Sequence, residues 1–172
     1  MSITQTTATA NRGFTFIGVV VTVTVLAMLA GILLPSQDSR SDDHAKPSYD
    51  SHRVASLKGV QGALAVYKII NGHYPDTNNA WQGDAAAYGS FTYDATGYIP
   101  GLVPDIITAL PKDLAPEFPN ATTGGYMYRS DGIDFKFVIN DCPGLYPADN
   151  PFFDPTRATT AWQISSAGAY NW

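Results

Sequence analysis

Cysteine occurs once in this 172-residue chain, at Cys142, which excludes an intrachain disulfide framework and any zinc or iron–sulfur centre built from several thiolates. Charge is scarce too: Asp, Glu, Lys and Arg make up 15% of the residues, against roughly 25% in an average soluble domain. Ten basic residues stand against fifteen acidic ones, a formal net charge of −5, so the broad positive footprint of a nucleic-acid binder is missing. His44, His52 and His73 belong to no nucleophile–base pattern, and there is no Walker loop, dinucleotide fingerprint or zinc-protease motif. These absences point away from an enzyme.

What is there begins with an apolar run. Phe14 to Leu34 is 21 residues without an ionisable side chain, and thirteen of them are Leu, Ile, Val or Phe. At about 1.5 Å per residue a helix of this length spans roughly 30 Å, the thickness of a bilayer's hydrocarbon core. Thr22 and Thr24 can return their hydroxyls to carbonyls one turn earlier, so they do not oppose burial in lipid. A secretory signal peptide has a shorter apolar stretch and a small-x-small cut site. The run here ends at Leu33-Leu34-Pro35, although small residues around Ala27 to Gly31 leave a cut there open. Arg12 precedes the run and Arg40, Lys46 and Arg53 follow it, so charge alone does not orient the segment.

The junction Asn11-Arg12-Gly13-Phe14-Thr15-Phe16-Ile17, a polar leader ending in a basic residue and Gly before Phe and an apolar run, resembles the class III leader of type IV pilins and type II secretion pseudopilins. The resemblance implies that a prepilin peptidase cuts after Gly13 and methylates the new amino-terminal Phe14, with the apolar helix retained for assembly. Pro35 lies where members often carry a helix-bending proline. It fits a helix that extends on packing, or simply one that stops there. Gly18 departs from the pattern, standing where most members have Glu at the fifth mature position. That departure favours a minor, initiating or tip subunit over a stack-forming one.

The family likeness divides the chain into a leader at 1–13, a transmembrane and assembly helix at 14–35, a polar neck at 36–51 and a globular periplasmic domain at 52–172. In the neck, Pro47 argues for an interruption or a flexible joint, and Ser48, Asp50 and Ser51 offer N-caps for a new helix. Val54, Leu57, Val60, Leu64 and Tyr67 then recur at helical spacing as one apolar stripe, and Gly72 suits the left-handed position after the helix. Gly59 and Gly62 either allow a sheet to approach closely or are tolerated flaws. Asn71-Gly72-His73-Tyr74-Pro75 resembles a pseudopilin signature at this place, with His73 read as a solvated loop residue. Residues 76–125 lack a period and predict ordered irregular structure with short helical pieces.

Tyr126 to Ser130 and Ile133 to Ile139 flank Asp131-Gly132, the pattern of a two-residue type I′ hairpin. Alternation puts Phe135, Phe137 and Ile139 on the face toward the helix, and Asp134, Lys136 and Val138 on the other. Thr160 to Ser165 supplies a third strand, with Trp162 and Ile164 sharing a face. The expected fold is α+β: a type IV pilin-like helix packed on an antiparallel sheet of about three strands. Asp141, Asp149, Asn150 and Asp154 lie in the loop before the last strand and are candidate calcium ligands, against the plainer reading of solvated loop acids. No other cofactor is expected.

The resemblance implies a structural subunit, held in the bacterial inner membrane by a single pass with its domain in the periplasm. It would be drawn into a periplasmic filament or pilus by an inner-membrane assembly platform and its ATPase. Its partners would be other pilin or pseudopilin subunits, the prepilin peptidase and the membrane, with no nucleic acid. A membrane-anchored binding module that never polymerises is the alternative, supported by Gly18 and the Pro47 neck.

Overall fold

The computed structural model describes residues 41–115, 121–141 and 147–172, with side chains from residue 48 onward. All of them belong to one compact unit, Ser41–Trp172. Its first element is a single helix, α1 (Ser41–Asn71), which runs through Pro47 without the interruption the proline suggests. Proline withholds the N–H that would reach the carbonyl of Asp43, and the helix continues past this single missing bond. Ser48, Asp50 and Ser51 therefore lie inside the helix and do not cap it.

One side of α1 is buried as the spacing predicts. Leu57, Val60 and Leu64 are buried with Ala63, while Val54 and Tyr67 pack against the same cluster. Arg53 is buried on this side as well, because its guanidinium is fully engaged. Nε and Nη2 form a two-pronged contact with the Asp113 carboxylate at 2.6 and 2.8 Å, and Nη1 reaches Asp50 at 2.8 Å. At the other end Gly72 takes φ +80° and donates its N–H to the Lys68 carbonyl, the left-handed stop expected of it.

The sheet has four strands in the order of the chain, all antiparallel: β1 (Gln82–Gly83), β2 (Gly125–Ser130), β3 (Phe135–Asn140) and β4 (Ala161–Ser165). Two-residue β1 is the strand that periodicity could not reveal, since alternation needs more residues than it has. The hairpin also differs from expectation. Its strands stop at the Ser130–Phe135 pair, so four residues turn the chain instead of two. Asp131 closes the turn by accepting N–H bonds from Ile133 and Asp134 at 2.9 and 2.8 Å, a side-chain turn that competes with extension of the strand. Tyr126, Tyr128, Phe135, Phe137, Ile139, Trp162 and Ile164 form the core with the helix stripe.

Residues 73–115 are ordered but largely irregular, with a short 3₁₀ turn at Ala86–Tyr88. They contribute Tyr98, Ile99, Leu102, Val103 and Leu110 to the same core. The reverse face of the sheet is buried too. Met127, Val138 and Ala161 form a second cluster with Trp81 and Tyr88, and Lys136 between them is wholly enclosed.

Candidate functional site

The residues that sequence marks for processing and assembly, Gly13, Phe14, Thr15, Phe16, Ile17, Gly18 and Pro35, lie outside the described residues, as does Cys142. Three features within the described part bear on function.

The first is the side of α1 turned away from the core. Gly59 and Gly62 are exposed there, and a Cβ added at either would meet nothing within 4 Å. The expectation that they admit a sheet is therefore not met: the sheet packs on the opposite side of the helix. Further along, Val66, Ile69 and Ile70 are exposed by 45, 84 and 69%, and Ile133 in the hairpin turn by 75%. A cleft of about 420 Å³ lies where helix end meets turn, lined by Lys68, His73, Asp76, Asp131 and Ile133 among others. The Asn71–Pro75 segment docks this end: the Tyr74 N–H reaches the Gly132 carbonyl at 2.8 Å, its ring packs on Phe135, and the Lys68 ammonium sits 4.2 Å above that ring. His73 is an exposed loop residue whose Nδ1 lies 2.8 Å from the Tyr74 carbonyl.

The second feature is the loop that folds over the reverse face of the sheet. Asp154, one of the calcium candidates, is completely buried and is engaged by cations of the chain itself. Its Oδ1 accepts the Lys136 ammonium at 2.9 Å and the N–H groups of Thr156 and Arg157, and its Oδ2 accepts Arg157 Nη1 at 3.3 Å. Lys136 also donates to the carbonyls of Tyr170 and Trp172 at 3.2 and 2.9 Å. Burial pulls the lysine's pKa below its ordinary value, and the Asp154 carboxylate opposes that pull. Asp141 accepts from the Thr123 hydroxyl and the Asn140 amide, each at 3.0 Å, while Asp149 is exposed. Among the described residues no group of three or more His, Cys, Asp or Glu side chains is placed to hold a metal. Two signals for the Lys136–Asp154–Arg157 cluster were readable in the sequence: a lysine on an alternating strand, and an Asp followed by Pro-Thr-Arg, a local carboxylate turn.

The third feature is Asp84, which accepts the Tyr126 N–H at 2.8 Å and the Tyr93 hydroxyl at 3.2 Å. Burial raises its pKa to about 6 against these bonds, and burial together with the Asp84 charge raises that of Tyr93 to about 12. The carboxylate pins the start of β2 to the residue after β1.

No protein-family model matches the chain, and no solved structure matches it significantly. Curated proteins do. The chain is 28% identical over 99 residues to the type II secretion system core protein G of Escherichia coli K12, covering 55% of this chain and 66% of the relative. It is 31% identical over 100 residues to the core protein G of Klebsiella pneumoniae, covering 55% of this chain and 68% of that relative. The chain belongs to the type II secretion core protein G family. The matched stretches span about two thirds of each relative's length. These relatives are named as secretion-system core proteins, not as enzymes. Among the described residues no helix is long and apolar enough to cross a membrane.

Proposed function

We propose that this core protein G relative is a structural pseudopilin: cut after Gly13 by a prepilin peptidase, methylated at Phe14, and built into a periplasmic filament through its apolar helix. The observation that carries the reading is the combination of family membership with the charge-free run Phe14 to Leu34 directly behind an Arg12-Gly13-Phe14 junction. In the membrane such a helix finds no hydrophobic advantage in leaving lipid, so assembly rests on close packing between helices. Gly18 and Gly31 are the small residues that permit it. The exposed side of α1, with Gly59, Gly62, Val66, Ile69 and Ile70 beside the single charge of Lys58, offers a largely apolar packing surface on the domain itself. The assembly platform and neighbouring subunits are the partners of this reading.

Metal is not part of the proposal, because Asp154 already has its compensating charges from Lys136 and Arg157. Mass spectrometry of the chain purified from its native membrane tests the reading. The expected amino terminus is N-methyl-Phe14; an intact Met1, or a cut near Gly31, would remove it.

A further inference from the structure

In the sheet order β4 is an edge strand, and its outward side is only half covered. Ser166 donates its N–H to the Phe135 carbonyl, so in the antiparallel alternation Trp162 and Ile164 face β3 while Ala161, Gln163 and Ser165 turn their backbone groups outward. The Ala161 N–H is taken by the Arg157 carbonyl at 3.1 Å and the Gln163 N–H by the Phe152 carbonyl at 2.7 Å. There the cover ends. The Phe152 N–H, which would next serve the Gln163 carbonyl, is drawn to Asn150 Oδ1 at 2.8 Å instead, and Pro151 has no N–H to give. The chain turns away, with the Phe153 N–H closing on the Asn150 carbonyl at 2.9 Å. Among the described residues, nothing pairs with the Gln163 carbonyl or the Ser165 N–H.

A second, independent observation lies at the same place. Gln163 is 4% exposed, its Nε2 donates to the Phe153 carbonyl at 3.2 Å, and its Oε1 is buried with no hydrogen-bond partner. A buried acceptor left unpaired is costly, and native proteins keep few of them unless something else supplies the donor. Gln163 lines a cleft of about 380 Å³ together with Gln61, Asn150, Phe152, Ile164 and Tyr170. No residue around this cleft carries a charge at neutral pH, although the whole chain carries −5.

We propose that the free half of β4, Gln163 to Ser165, is a docking edge for an extended, uncharged peptide segment of another polypeptide. The segment adds as a further antiparallel strand. One of its N–H groups meets the Gln163 carbonyl, one of its carbonyls meets the Ser165 N–H, and an apolar or aromatic side chain enters the cleft beside Phe152 and Ile164. Because Gln163 Oε1 is buried in the free chain, its side chain must turn toward the segment before a donor there can reach it. Exposed strand edges are usually blunted by charge, proline or a bulge. This one is covered with backbone up to Phe152 and then left uncharged and open, as a recognition edge must be.

The test uses the full chain in detergent micelles with the neutral probe acetyl-Thr-Val-Tyr-Val-Thr-amide. A second probe is the same peptide N-methylated at alternate residues, and a third has Asp in place of both valines. Binding is followed by titration, and the Ser165 amide by hydrogen exchange. The expected result is saturable binding of the first peptide with new protection at Ser165, and binding about tenfold weaker or less for the N-methylated peptide, which forfeits a backbone hydrogen bond. The acidic peptide and the Gln163→Met chain are expected to bind more weakly too. Equal binding of the N-methylated peptide would reduce the cleft to an apolar hole and overturn strand addition. No saturation by the first peptide would overturn it as well. So would a Ser165 amide already protected without peptide, which would mean that residues 142–146 or a second copy fill the edge.

Discussion

Asp84 illustrates how one buried carboxylate shapes its surroundings. A Cβ at Gly125 would collide with Asp84 Oδ1, and Gly125 sits at φ +143°, so glycine is required there on both counts. The carboxyl's pKa is about 6 in the folded protein against an ordinary 3.8, burial being the larger influence and the Tyr126 and Tyr93 bonds opposing it. A raised acid pKa stabilises the fold fully below the unfolded value, and this contribution disappears as pH rises through the folded value. Thermal unfolding should therefore rise in midpoint as pH falls from 7.5 to about 4.5, by up to about 2 kcal/mol in stability. Asp84→Asn, which keeps an acceptor for the Tyr126 N–H, should flatten that slope. An unchanged slope in the variant would assign the dependence to other groups. None of this was legible in the sequence, where Asp84 is one acid in an aperiodic stretch.

At the scale of elements, the sequence is most readable where a period repeats over several turns. Leu57, Val60 and Leu64 were marked by spacing alone, as were Phe135, Phe137 and Ile139, and all six are in the core. Local punctuation misled where tertiary context outweighed it. Pro47 and its neighbouring cap residues read as a helix start yet lie within α1, and Asp131-Gly132 read as a two-residue turn until the Asp131 carboxylate drew in Ile133 and Asp134. The glycines of α1 give a prediction at this scale. Since a methyl group at Gly59 or Gly62 touches nothing, each change to Ala should raise stability by up to about 1 kcal/mol in denaturant unfolding. The double variant should at the same time lower incorporation into filaments, because the added methyl groups hold neighbouring helices apart. Stabilisation with normal incorporation would show that this side of the helix meets no neighbour.

Across the whole molecule, the sheet is buried on both faces, and the reverse face was the less legible one. Its cover comes from segments far apart in the chain, Trp81, Asp154, Arg157 and Tyr170 to Trp172, none of which carries a period. Lys136 anchors them from the middle of β3. Replacing it by Met leaves the Asp154 charge enclosed with Arg157 alone, a loss of about 3–5 kcal/mol expected from breaking a buried pair. A bound calcium ion at a hundredfold its Kd would add about 2.7 kcal/mol, so melting in calcium and in excess chelator should coincide if Lys136 does the ion's work. A higher melting point in calcium would reinstate Asp141, Asp149 and Asp154 as ligands. Hydrophobic patterning foretold the helix and the central hairpin, while the proposed cut after Gly13 rests on family likeness, which no packing argument reaches.

The two-pronged grip of Arg53 on Asp113 has a mechanical corollary. Sliding the helix along its axis past residues 111–115 must shear both parallel bonds together, where a single-point contact could pivot and re-form. A load applied along α1 is thereby passed through Arg53 to residues 111–115, and helix and sheet move as one riveted piece.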